Sequence, residues 1–164
     1  MIASPAAEPA FLGCLLQTRA ATVTRGYLGQ VEDSDFTDPR NVTVVTAMRQ
    51  LVAAGQPVDA ITVEGQLGRS GVEAPMTADK RAAVFLVDLL AAPPSVGSVG
   101  HYLLVILEHT VRRSIEAAGV RLQQVAASSS LDDARDVTRT DCQELARQFG
   151  RLAARESAEA GGDQ

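Results

Sequence analysis

The stretch of sequence that decides the fold is "GQPVDAITV" at residues 55–63. Gly55 suits the left-handed position that closes a helix, because glycine has no side chain to clash there. Pro57 cannot continue a helix and pushes the residue before it toward extended geometry. Asp59 offers a carboxylate to the free N–H groups of a new helix. The segment therefore predicts a corner: one helix stops, the chain turns rigidly, and another helix starts.

Similar start signals recur along the first hundred residues. Asp38 and Pro39 predict the cap and the first residue of the helix that ends at the corner. A serine-proline pair at 4–5 predicts the start of an earlier helix, and Thr77 predicts the cap of a later one. With apolar residues recurring at helical spacing between these signals, residues 1–97 are expected to form a head of about five short helices, a small orthogonal bundle.

The remainder of the chain is organised differently. From about Ser98 to Ala127 the apolar residues recur every three or four positions with one glycine as the only interruption, which predicts one long helix. The serines at 128–130 break it, and a final helix follows. We predict a long antiparallel helical hairpin over 98–156 and a disordered tail over 157–164, in an all-α protein. The aromatic content of 4% and the absence of Trp agree with an aliphatic helical core.

One set of apolar residues marks the predicted hairpin as an interaction element. These residues line one side of each of its helices, so they are expected to form the hairpin core or an oligomer contact, and the sequence leaves these two roles open. They are Leu103, Leu107, Val111, Leu122, Leu145, Phe149 and Leu152.

The charge balance does not favour nucleic acid. The net charge is −5, whereas domains that neutralise phosphates are usually strongly basic. Arg147, Arg151 and Arg155 step by four along the last helix, but Glu144 and Glu156 lie among them. A solvated face of mixed charge is therefore favoured over a phosphate-binding row.

The sequence contains no pattern that predicts catalysis, a metal ion or a cofactor. A P-loop needs Gly-Lys followed by Ser or Thr, and the single lysine, Lys80, follows Asp79. His101 and His109 have no Cys or His neighbour at zinc-ligand spacing. The aspartates at 33–38 lack the glycine and the closing Glu of a calcium loop, so turn and cap roles are favoured for them. We expect no enzymatic activity.

The cysteines and the N-terminus bear on the compartment. Cys14 and Cys142 do not form a disulfide framework in a chain of this length, which favours a reducing cytoplasm. The N-terminal apolar run has no basic region and is interrupted by Glu8 and Pro9, so we expect neither a signal peptide nor a membrane span.

Five stretches, taken together, resemble the N-terminal domain of the DnaB-type bacterial replicative DNA helicase. They are "AEPAFLGCLL" at 7–16, "DFTDPRN" at 35–41, "AMRQLVAAGQPVDAITV" at 47–63, "FLVDLLAAPPS" at 85–95 and "HYLLVILEHTVRRSI" at 101–115. The resemblance implies a helical head followed by a hairpin through which subunits pair into a ring-shaped collar, and contact with primase. It also implies that six residues are structural positions characteristic of the family. They are Gly13, Asp38, Pro39, Gly55, Pro57 and Asp59.

The expected function is thus a non-catalytic oligomerisation and protein-interaction module in DNA replication. Its expected partners are further copies of the chain, in a dimer or higher ring, and primase or replicative helicase. One alternative is a small DNA-binding or regulatory protein that reuses this fold. Another is a fragment of a full-length helicase, although the starting Met and the polar "GGDQ" ending favour a complete chain.

Overall fold

The computed structural model describes residues 6–69 and 82–161, and all regular structure in these two ranges is helical. This confirms the all-α prediction. The α-helices are α1 Ala7–Gln17, α2 Ala21–Leu28, α3 Pro39–Ala53, α4 Ala60–Arg69, α5 Ala82–Ala91, α6 Val99–Ser128 and α7 Leu131–Gly161. Short 3-10 turns lie at Asp33–Asp35 and Val96–Ser98. The predicted starts at Ser4, Pro5 and Thr77 lie outside the described residues.

The corner between α3 and α4 forms as the sequence predicts. Gly55 has a φ of 67°, the left-handed value that closes α3. The N–H of Gly55 donates to the carbonyl of Val52 and the N–H of Gln56 donates to that of Leu51, so the last carbonyls of α3 are satisfied in a Schellman arrangement. Pro57 then follows in the turn.

The same corner starts α4 with a reciprocal cap. The Asp59 carboxylate accepts from the backbone N–H of Thr62 at 2.9 Å, and the Thr62 hydroxyl lies 3.0 Å from the backbone N–H of Asp59, which donates to it. The Thr62 hydroxyl also donates to the Pro57 carbonyl at 2.9 Å. Because these bonds join residues within five positions of each other, local sequence alone specifies where α4 begins.

The start of α3 is held by two carboxylates. Asp38 is its N-cap and accepts from the backbone N–H of Arg40 at 2.8 Å, with Pro39 in the first turn as predicted. The second carboxylate comes from α1: Glu8 accepts from the backbone N–H and the hydroxyl of Thr37, and from the Asn41 amide at 2.8 Å. Glu8 is buried and thus ties α1 to the N-terminus of α3.

Gly13 marks a close contact between α1 and the end of α5. A Cβ built on Gly13 would lie 2.0 Å from the Leu89 carbonyl oxygen and 2.7 Å from Cδ of Pro93. Only glycine lets the two backbones approach this closely. This contact gives Gly13, one of the predicted signature positions, a steric role.

Contacts divide the described residues into two compact units, one that runs to Ile106 and one that starts at Leu107. The first unit contains the aliphatic core. Among its largest fully buried side chains are Phe11, Leu12, Leu15, Met48, Leu51, Leu86, Leu89, Leu103 and Ile106. The predicted boundary between a head at 1–97 and a hairpin from 98 lies next to the start of α6, whereas the two compact units meet between Ile106 and Leu107. The predicted division stays a prediction.

The second unit contains most of α6 and all of α7, which are joined by Ser129 and Ser130. α7 continues through Ser157 to Gly161, beyond the predicted boundary at 156. The reason is that Ala and Glu, which dominate this stretch, are good helix formers.

No single helix within 6–69 and 82–161 combines the length and the apolar character that a membrane crossing needs. The bent pair formed by Ala82–Ala91 and Val96–Ser128 meets that requirement only when its two parts are taken together across a 92° bend.

Candidate interaction surface

The hairpin turn is built by a serine cap. Ser130 accepts from the backbone N–H of Asp133 at 3.2 Å, and its hydroxyl donates to the Asp133 carboxylate at 2.7 Å. Asp132 and Asp133 lie in the first turn of α7, where their charges suit the helix dipole. The break at the serines thus allows the chain to reverse direction within two residues.

A polar pair joins the two helices of the hairpin. Arg121 of α6 donates to the Asp141 carboxylate with N–O distances of 3.0 and 2.6 Å. Asp141 is only 5% exposed, whereas the Arg121 side chain is half exposed. This carboxylate raises the pKa of Arg121, chiefly through its hydrogen bond to the guanidinium. The side of α7 that carries Asp141 therefore faces α6.

Gln148 continues this polar side of α7. It lies about two turns beyond Asp141 on the same side and is 3% exposed. Its amide donates to the Glu144 carboxylate and accepts from Arg151, each at 2.7 Å. We call Arg121, Asp141 and Gln148 the polar seam.

Apolar residues of the hairpin lie beside the seam and remain accessible. Phe149 is 50% exposed and Ile115 is 47% exposed, while Leu122, Leu145 and Leu152 are partly exposed. Helical periodicity places Ile115 and Leu122 on one side of α6, and it places Leu145, Phe149 and Leu152 on one side of α7, next to the seam. We call Ile115, Leu122, Leu145, Phe149 and Leu152 the apolar stripe.

The structure thus separates the predicted interface residues into two groups. Leu103, Leu107 and Val111 are buried, and Leu103 belongs to the first compact unit. The other four, Leu122, Leu145, Phe149 and Leu152, all belong to the apolar stripe. The sequence could not separate core from surface, because both groups recur at the same spacing. Ile115 recurs at the same spacing on α6 but was not included among the predicted interface residues.

Charges along the outside of α7 are neutralised within the helix. Arg135 pairs with Asp132, Arg139 with Asp136, and Arg147 with Glu144 at 2.7 Å, each three positions apart. The hydrogen bond from Arg147 is the main cause that lowers the pKa of Glu144 to about 2, and the amide of Gln148 adds to it. The hairpin therefore offers an apolar stripe bordered by paired charges.

Reactive groups are sparse in the described part of the chain. No group of three or more His, Cys, Asp or Glu side chains within 6–69 and 82–161 could hold a metal ion. Cys14 is buried in the first unit, and burial raises its thiol pKa to about 11, which agrees with a core thiol. Cys142 is exposed on α7, three residues before Leu145 of the stripe.

A polar pair at Asp38 links two helices of the first unit. Asp38 also forms a forked pair with Arg40, with N–O distances between 2.6 and 3.1 Å, which holds the pKa of Asp38 below its ordinary value. The Arg40 guanidinium lies 4.6 Å from the centre of the Phe85 ring, so the pair links α3 to α5. Glu8 was not singled out by the sequence, because its partners lie about 30 residues away.

These features define the class of the protein: an all-helical domain whose candidate site is a surface on a hairpin. Residues 1–108 match the sequence profile of the DnaB-like helicase N terminal domain, which is well over half of the chain. The chain therefore belongs to the DnaB-like helicase N-terminal domain family, as its motifs predict, and its context is that of a DNA replication helicase.

Individual relatives agree with this assignment. The chain is 29% identical over 119 residues to the replicative DNA helicase DnaB of Mycobacterium leprae, a match that covers 73% of the chain and 19% of the relative. It is 28% identical over 125 residues to the same helicase of Leifsonia xyli subsp. xyli, covering 73% and 25%. The chain thus spans a quarter or less of the curated relatives it matches.

A solved structure supports the fold. The N-terminal domain of DnaB helicase from Mycobacterium tuberculosis superposes with a TM-score of 0.72 at 24% identity, covering 85% of this chain and 95% of that one. The similarity includes the all-helical architecture and extends over most of the described residues.

Proposed function

We propose that the chain is a non-catalytic oligomerisation and protein-interaction module that acts in DNA replication, in the manner of a helicase collar domain. Two copies pair through the apolar stripe of the hairpin. Further association builds a ring, primase or a replicative helicase is the external partner, and the site of action is the cytoplasm. Family membership supports the replication context.

The observation that carries this proposal is the exposure of the stripe. Its five apolar side chains are exposed or partly exposed, and the largest of them, Phe149, keeps half of its surface in water. Contiguous apolar surface bordered by polar residues is typical of protein contact sites. Aromatic residues on such surfaces commonly provide much of the binding energy.

A second copy of the chain fits this surface best. In a two-fold pair the same patch meets itself, and an apolar stripe is always complementary to another apolar stripe. The charges beside the stripe are already paired within α7, as in Arg147 with Glu144, so two facing copies do not bring bare like charges together.

The same pairing weighs against the DNA-binding alternative. Arg121, Arg135, Arg139 and Arg147 each have an acidic partner, which reduces the positive field that a phosphate backbone requires. If the hairpin nevertheless bound DNA, the affinity would fall steeply with salt. Fluorescence anisotropy with labelled single- and double-stranded DNA at low and high salt distinguishes the two functions.

The test of the proposal is the absolute mass in solution, measured by light scattering over a concentration series. We expect a dimer or a multiple of it, and dissociation to monomers in Phe149→Gln. Val120→Gln is the matched control, because Val120 is 51% exposed but lies about 180° from Val111 on the other side of α6. We expect this variant to associate like the parent chain.

Two results would contradict the proposal. If the parent chain is monomeric at every concentration, self-association is contradicted. If Phe149→Gln associates as well as Val120→Gln, the apolar stripe is not the contact surface. ATP hydrolysis by the purified chain would contradict the non-catalytic role.

A further inference from the structure

The last helix buries almost none of its own length. All 31 residues of α7 belong to the described part of the chain, and of these only Asp141 and Gln148 are buried. Both are polar. By contrast, nine of the eleven residues of α1 are buried, most of them apolar. The usual source of helix stability in a protein, packing of an apolar face, is therefore weak for α7 within one chain.

The polar seam does not make up for this lack. Arg121 is half exposed, so its attraction to Asp141 is screened by water. Taking the Asp141 carboxylate out of water also has a desolvation cost that offsets part of the gain. The seam therefore fixes the rotation of α7 about its axis but adds little to its stability.

The end of the hairpin is more open still. From Gly119 through Thr140, a range that includes the turn, each residue is exposed or only partly buried. Val125, Ala134 and Val137 are the partly buried apolar residues there, besides Leu122 of the stripe. Two helices that bury so little against each other are expected to open locally at a low free-energy cost.

We infer that a second copy of the chain orders α7, so that closure of the hairpin and pairing of two subunits are one coupled event. This inference rests on the proposed function and concerns its regulation. In the monomer α7 opens frequently, and the stripe of the partner supplies the apolar cover that keeps α7 helical. The hairpin then becomes fully ordered only above the concentration at which the chain pairs.

Hydrogen exchange read by mass spectrometry tests the coupling. The parent chain is measured at concentrations above and below dissociation, as determined by light scattering, and Phe149→Gln and Val120→Gln are measured beside it. We expect the protection of α7 amides to fall by about tenfold or more in the monomer, while the amides of α1 in the same molecules keep theirs.

The outcomes separate the two proposals. A monomer whose α7 amides are as protected as those of the dimer overturns the coupling and leaves pairing intact. A parent chain that is monomeric at every concentration overturns both. If Phe149→Gln loses protection in α1 as well, that variant is unfolded, and dilution of the parent chain alone decides between coupling and independent folding of α7.

Discussion

At the scale of single residues, Gly13 and Gly26 differ in a way that only the structure reveals. Both are helical glycines, but Gly13 meets the Leu89 carbonyl, whereas Gly26 in α2 has nothing within 4 Å of an added Cβ. Local sequence gives no signal of this difference, because the atoms that crowd Gly13 come from residues more than 70 positions away; only the family resemblance singled out Gly13.

We therefore predict opposite effects for alanine at these two positions. Gly13→Ala must push α1 and α5 apart and should destabilise the protein by about 3 kcal/mol, as overpacking does. Gly26→Ala should stabilise α2 by about 0.5–1 kcal/mol, because alanine loses less entropy in a helix. Urea denaturation followed by circular dichroism measures both. Equal effects would mean that the close approach at Gly13 is absent in solution.

At the scale of helices, the corner at 55–63 shows which parts of the fold a sequence predicts well. Gly55, Pro57, Asp59 and Thr62 bond or turn within a few residues of each other, so their roles follow from local chemistry. The start of α3 follows only in part from local sequence. Asp38 is a recognisable cap, but Glu8 contacts this helix start from α1. The seam between α6 and α7 was likewise missed, since Asp141 differs from other aspartates only in facing Arg121.

The corner also gives a testable cap. Asp59→Ala removes the acceptor for the Thr62 N–H at the start of α4 and should reduce the free energy of unfolding by about 1 kcal/mol. Asp59→Asn retains a side-chain oxygen and should cost less. Chemical denaturation compares the two variants with the parent. If alanine and asparagine cost the same, the cap does not contribute to stability.

At the scale of the whole molecule, the pattern of spaced apolar residues predicted the hairpin but not its exposed face. Leu107 and Phe149 both satisfy helical spacing, yet one is buried and the other is half exposed. Periodicity identifies the apolar side of each helix. It does not state whether that side meets the same chain or another one.

Cys142 allows the pairing of whole molecules to be tested chemically. It is exposed at the edge of the stripe, whereas Cys14 is buried with a thiol pKa raised to about 11 and should not react at neutral pH. A bis-maleimide cross-linker should therefore join two chains through Cys142. We expect a covalent dimer on denaturing gels, its absence in Cys142→Ser, and a severalfold lower yield in Phe149→Gln.

The control for this experiment is Val120→Gln, which should cross-link like the parent chain. A yield that is unaffected by Phe149→Gln would place the contact elsewhere on the surface, even if the chain is a dimer.

The Glu8 bridge has a consequence for how this domain evolves. Glu8 serves the start of a helix that lies about 30 residues further along, and it accepts hydrogen bonds from both Thr37 and Asn41. Replacing Glu8 leaves Thr37 and Asn41 without this acceptor. Replacing Thr37 and Asn41 leaves the buried Glu8 carboxylate without their hydrogen bonds. We therefore expect substitutions at Glu8, Thr37 and Asn41 to be coupled, so that the loss of one favours replacement of the others.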